Sequence, residues 1–138
     1  MWIGDVGQGA WEEIDYAKAG QKGINWGWPL REGTHPYDGA RPPGARDPIF
    51  ERSHDNGDCA IIGGYVYRGT AIANFQGAYV FGDECTGEIR AITQSGGHLA
   101  QSRDLNLNVS QLSTFGEGPQ GEIYAASLGG SLYVIAPK

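Results

Sequence analysis

Three carboxylates lie close together near the start of the chain: Glu12, Glu13 and Asp15. A pair of acids flanking one bond is the machinery of glycoside hydrolysis. However, the run around them reads as a strand, where neighbouring side chains point to opposite faces, so Glu12 and Glu13 cannot serve one bond. Glu13 and Asp15 do share a face, and can hold a cation or cap a turn. Just upstream, Val6-Gly7-Gln8-Gly9-Ala10 reads as a glycine-bracketed turn that exposes main-chain carbonyls, which are hard oxygen ligands for Ca²⁺. Ordinary turn chemistry accounts for the same residues. His35, His54 and His98 fall in segments read as loops and are expected to be solvated. No Ser-His-Asp order stands out, and the glycine-rich stretches lack the following helix and Lys-Ser/Thr of a phosphate loop.

The two cysteines carry a sharper expectation. Cys59 precedes an apolar run at 61–68 and Cys85 follows another at 77–83. Pairing these runs as a hairpin centred near residue 72 sets Cys59 opposite Cys85, within disulfide reach. A disulfide implies an oxidising compartment. The rival reading, a metal site of His54, Cys59 and Cys85, lacks a fourth ligand at zinc-like spacing.

Short apolar runs bounded by turn residues must position these groups. The expected strands are 1–6, 12–17, 61–68, 77–83, 88–94, 98–102, 112–116, 121–127 and 131–136, with a long polar loop over 30–58. A loop of that length in a compact domain is a lid, a functional segment or an oligomer contact. The 138 residues suit one domain; 23 glycines, 4 Trp and 7 Tyr favour a turn-rich all-β fold, and no window keeps helical spacing. With a net charge of −6 and scattered basic residues the chain has no footprint for nucleic acid. No run approaches the roughly 18 apolar residues of a membrane span. Met1 leads directly into Trp2-Ile3-Gly4-Asp5, which reads as a strand already under way, so a fragment is expected.

A repeat organises the strands. Phe81-Gly82-Asp83, Gly87-Glu88-Ile89 and Ala91 recur 34 residues later as Phe115-Gly116-Glu117, Gly121-Glu122-Ile123 and Ala125. A looser copy opens the chain with Ile3-Gly4-Asp5 and Glu13-Ile14. Recurring hairpins at this spacing predict the radially repeated sheets of a β-propeller. Two or three such sheets leave apolar surface at both ends, so a partner is expected.

The ordered motifs resemble the glucose/sorbosone dehydrogenase family, which includes soluble aldose sugar dehydrogenases dependent on pyrroloquinoline quinone (PQQ). They are Gly4-Asp5-Val6-Gly7-Gln8, Trp11-Glu12-Glu13-Ile14, Asn25-Trp26-Gly27-Trp28-Pro29, Gly63-Gly64-Tyr65-Val66-Tyr67-Arg68-Gly69 and Tyr79-Val80-Phe81-Gly82-Asp83. The resemblance covers most of the chain but only the C-terminal part of the family's six-bladed propeller. It implies a first blade portion at 1–29, the loop at 30–58, a second blade at 59–106 and a third blade portion at 107–138.

It also implies that main-chain carbonyls of Gly7 and Gln8 face the Ca²⁺ that holds the quinone. A second, structural Ca²⁺ would take the Glu13 carboxylate and the Trp26 carbonyl. The family's histidine base and quinone-binding Arg-Asn pair belong to earlier blades and have no counterpart here. Later basic quinone contacts fall near Cys85, Gln111 and Ser113, none of them basic. Three readings follow. The chain is the C-terminal segment of a periplasmic or secreted aldose dehydrogenase, inactive without its N-terminal blades. Alternatively, it is a cofactor-free binding propeller, or a half-propeller that closes with a second copy.

Overall fold

The computed structural model describes residues 1–137, and their architecture is all-β. The strands are β1 (Trp2–Asp5), β2 (Trp11–Tyr16), β3 (Arg31–Glu32), β4 (His35–Pro36), β5 (Phe50–Ser53), β6 (Ile61–Val66), β7 (Tyr79–Asp83), β8 (Glu88–Ser95), β9 (His98–Asn108), β10 (Leu112–Glu117), β11 (Ile123–Ser127) and β12 (Leu132–Val134). One 3₁₀ turn, His54–Asn56, follows β5; Ser53 caps its start and Gly57, at φ 88°, closes its end.

These strands form three antiparallel sheets, ordered β1-β2-β5, β6-β7-β8-β9 and β10-β11-β12, with β3-β4 as a separate small hairpin. The sheets meet through their first strands, because β6 packs against β1 on one side and β10 on the other. Glycine permits that approach. A Cβ on Gly4 would lie 3.0 Å from the Cα and N of Gly63. Sheets that diverge from adjoining first strands make part of a β-propeller.

The middle sheet is buried on both faces. Every residue of β7 is buried, which explains why Tyr79–Asp83 shows no polar alternation. Tyr79 and Phe81 pack towards the first sheet with Ile14, Ile61 and Ile92. Val80 points the other way, into a core with Leu112, Phe115, Ile123 and Ala125. Burying a ring such as Phe81 contributes about 2–3 kcal/mol, and its edge contact with Phe50, at 5.2 Å between centroids, ties β5 to the same core.

The stretch expected as a loop is therefore not structureless. It supplies β5 to the first sheet, in register with β2 (Glu13 opposite Glu51, Ile14 opposite Phe50). Glu51 and Arg52 give β5 a loop-like composition, but both are engaged by ionic or hydrogen-bonding partners.

The repeat also has a structural offset. Phe81-Gly82-Asp83 ends the second strand of its sheet, whereas Phe115-Gly116-Glu117 ends the first strand of the next. The 34-residue spacing is thus one strand short of the structural period, which is the 51 residues from Ile61 to Leu112, the first residues of β6 and β10.

Cys59 and Cys85 form a disulfide, with Cα atoms 5.7 Å apart. The β6–β7 register starts as expected, with Ile61 opposite Asp83 and Ile62 opposite Gly82, then shifts by one at a bulge over Gly63-Gly64. The cysteines lie two residues outside the Ile61–Asp83 pair, so the bulge does not disturb them.

The outer edges of the second and third sheets differ. β9 is exposed along most of its length and carries His98, Arg103 and Asp104. In β12 the exposed residues are Leu132, Tyr133 and Val134.

Candidate metal centre

The first sheet places a row of acids across its three strands. Asp5 stands opposite Glu13, and Glu13 stands opposite Glu51. Asp15, two residues along β2, lies on the same face. Carboxylate oxygens of Asp5, Glu13 and Asp15 all come within 4.8 Å of one another. Oxygens bound to one Ca²⁺ at 2.3–2.6 Å have separations of that order.

Two of these acids sit in a poorly hydrated place, while Asp5 is exposed. Glu13 is 6% exposed and Asp15 is fully buried. Burial pushes the Asp15 carboxyl up to about 8, with the charges of Glu13 and Asp5 adding to it. Burial likewise raises Glu13 to about 7, helped by Asp5 and Glu51 and opposed by a hydrogen bond from the Gly33 N–H and by the Arg31 charge. Asp5 is raised too, by loss of water on its inner side. Glu13 accepts the Gly33 bond through Oε2. Among the described residues neither oxygen of Asp15 has a hydrogen-bond partner. A buried carboxyl left without partners costs free energy unless it keeps a proton or meets a cation.

A cavity of about 20 Å³ adjoins Asp5 and Glu13, bordered also by Gly7, Trp26, Arg31 and Glu32. That is room for one water or one ion. The turn beside it is fixed by Glu32, whose Oε1 and Oε2 accept the N–H groups of Gly9 (2.7 Å) and Ala10 (2.9 Å). Gly7 is obligatory there, since a Cβ would fall 1.9 Å from the Trp11 carbonyl oxygen. Gly7, Glu13 and Trp26 thus share one cavity, while Gln8 lies exposed on the turn.

Glu12 does something different. Its side chain leaves the other face of β2, where Oε1 lies 2.7 Å from His54 Nε2 and Oε2 accepts the Ile61 N–H at 2.6 Å. Beside it, Arg52 contacts buried Asp58 at 2.8 Å and also reaches Glu88, which Arg90 meets at 2.6 Å. Asp83 Oδ2 accepts the N–H groups of Cys59 and Ala60, both at 3.0 Å. The Glu12–Ile61 and Arg52–Glu88 contacts join the first and second sheets. His54 is therefore bound by a buried acid, not solvated. His35 is likewise engaged, stacked on Trp11 at 3.6 Å between centroids and 3.2 Å from Glu51. His98 is exposed, as expected.

Sequence reasoning paired Glu13 with Asp15 but missed Asp5 and Glu32. The turn length between β1 and β2 sets which residue faces Glu13, and Glu32 arrives from the β3-β4 hairpin, for which no run of apolar residues gave a signal.

No known family's sequence profile matches the chain. Among solved structures it is similar to a glucose dehydrogenase, at 19% identity and a TM-score of 0.74, over 99% of this chain and 41% of that one. It is similar also to the soluble aldose sugar dehydrogenase from Escherichia coli in its apo form, at 20% identity and a TM-score of 0.68, over 90% of this chain and 37% of that one. A third similarity is to the PQQ-bound aldose sugar dehydrogenase from Streptomyces coelicolor, at 19% identity and a TM-score of 0.63, over 91% and 33%. These likenesses establish the fold alone, that of part of a β-propeller. The chain spans about two fifths of the length of the first of these structures.

Proposed function

We propose that this chain is the C-terminal segment of a quinoprotein aldose sugar dehydrogenase and contributes Ca²⁺-binding groups to the whole propeller. The observation that carries this reading is the pair of unpartnered oxygens on fully buried Asp15, next to Glu13 and Asp5. The three carboxylates and the Trp26 carbonyl would hold a structural Ca²⁺, and the Gly7 and Gln8 carbonyls would serve the ion that carries the quinone. PQQ, when bound, would supply the hydride acceptor for oxidation of the sugar. This chain's own residues shape that region: Glu32 fixes the Gly7–Ala10 turn, and Arg31 offsets part of the acidic charge.

The histidine base comes from the blades this chain lacks, so turnover belongs to the whole protein. Isothermal titration of this chain with Ca²⁺ tests the ion site directly, with D15N expected to abolish the heat. Dehydrogenase assays of the full-length protein with PQQ, Ca²⁺ and an artificial electron acceptor test the activity; no turnover there rejects it. The disulfide supports an oxidising compartment, periplasmic or secreted.

A second reading, a propeller that binds without the quinone, is favoured by the side chains at the approximate quinone positions. Cys85 is consumed in the disulfide and the Ser113 hydroxyl donates to the Ala126 carbonyl, so neither offers a positive charge to a tricarboxylate. Saturable quinone uptake by the intact propeller, followed by absorbance, rejects that reading. In either case the rest of the ring is supplied by N-terminal blades or by a second copy of the chain. Sedimentation of this chain distinguishes them, since a stable folded monomer excludes closure by self-association.

A further inference from the structure

A second cavity, of about 390 Å³, opens where the end of β2, the segment 46–49 and the β8–β9 turn come together. Its walls carry Lys18, Arg46 and His98 together with Pro48, Ile49 and Leu99. The chain has 16 acidic side chains against 10 lysines and arginines, so three basic residues around one space is a local reversal of sign. Among the described residues none of the three forms a salt bridge with a carboxylate. Asp47 also borders the cavity, but its carboxylate is already bound by Arg31, at 3.0 Å, and by Arg41.

The Arg46 guanidinium is held in place, and the Lys18 main chain shares its anchor. Gln21 Oε1 accepts both the Lys18 main-chain N–H, at 2.8 Å, and a guanidinium N–H of Arg46, at 3.0 Å. The Arg46 guanidinium also lies 5.9 Å from the centroid of the Trp26 ring, and the Arg46 main-chain N–H donates to the Asn25 carbonyl at 2.8 Å. A guanidinium fixed before binding loses little freedom on meeting a planar or tetrahedral oxyanion. Lys18 and Arg46 carry like charges, and an anion between them relieves their repulsion.

We propose that this cavity is a binding site for a small organic oxyanion, a phosphate or carboxylate group held by Lys18, Arg46 and His98. Its carbon skeleton lies against Pro48, Ile49 and Leu99. The volume lies within the range of small-molecule sites. The site does not depend on the Ca²⁺ reading, since it shares no ligand with the acidic row.

The test is calorimetric titration of the chain with inorganic phosphate and, separately, with gluconate, while NMR follows the His98 ring. One saturable site with a His98 shift is expected. K18Q and R46Q should each weaken binding about tenfold, the loss of one charge-assisted hydrogen bond. R103Q, which removes the same charge from exposed β9, should leave it unchanged. Uptake of phosphate alone assigns a phosphate ester and uptake of gluconate alone assigns a carboxylate; both support the site. Lys18 is exposed, so K18Q keeps the test decisive even if R46Q unfolds. No saturable uptake of either anion, or equal weakening in R103Q, overturns the proposal.

Discussion

Asp5 and Glu13 are directly opposed across β1 and β2, a cross-strand pair of like charges with Asp15 alongside. Such a pair destabilises a sheet when both groups are ionised. Protons or a cation must therefore settle it, and the two leave different signatures.

With no divalent cation, stability should fall as pH rises. Glu13 and Asp15 start from ordinary values of 4.5 and 3.8 and sit at about 7 and about 8 in the fold. Between those limits the folded chain holds more protons than the unfolded one, so the slope of stability against pH is negative. Their contribution is full below about pH 4 and is lost as pH climbs through about 8. Thermal melts in chelator should show a lower Tm at pH 8 than at pH 5, and millimolar Ca²⁺ should restore it. D15N should flatten both responses. A Tm indifferent to Ca²⁺ at pH 8 counts against the centre.

Removing the disulfide should cost roughly 3–4 kcal/mol by the chain-entropy argument, for cysteines 26 residues apart. The double variant C59A/C85A, compared with wild type by urea denaturation, should unfold at a clearly lower midpoint. The chain treated with reductant should match it.

Gly64→Ala should destabilise the junction of second and third sheets. A Cβ there would lie 2.2 Å from the Val80 carbonyl oxygen and 3.1 Å from the Phe115 ring. Overpacking of this kind costs about 1–3 kcal/mol. Gly116→Ala is the contrast, since nothing lies within 4 Å of its added carbon. Equal denaturation midpoints for the two variants contradict the packing.

Arg52→Met should be among the most damaging single changes at the sheet boundary. It leaves Asp58, whose side chain is 1% exposed, without its cation. Breaking a buried pair costs about 3–5 kcal/mol. Adding D58N should recover much of that loss, and a double-mutant cycle without such coupling rules the pairing out.

The outline of the fold was readable because its strands are short apolar runs between glycines. The disulfide was readable because one hairpin centre fixed both cysteines. What escaped notice has a common cause. β5 carries Glu51 and Arg52, charged residues whose partners come from distant segments, so a local reading takes them for loop. The repeated Phe-Gly-acid signature marks a strand end, and strand ends occur at more than one position in a sheet; the spacing alone therefore misjudged the period. In the centre itself, periodicity placed Glu13 with Asp15, but only the β1–β2 register could add Asp5.

The contrast between β9 and β12 bears on how the protein behaves in a concentrated solution. Charges along β9 deter strand-to-strand stacking, whereas β12 offers a free backbone ladder with Leu132, Tyr133 and Val134 uncovered. Clumping of the purified chain should therefore begin along β12 rather than along β9. A single lysine in place of Tyr133 should do more for solubility than one further charge added to β9.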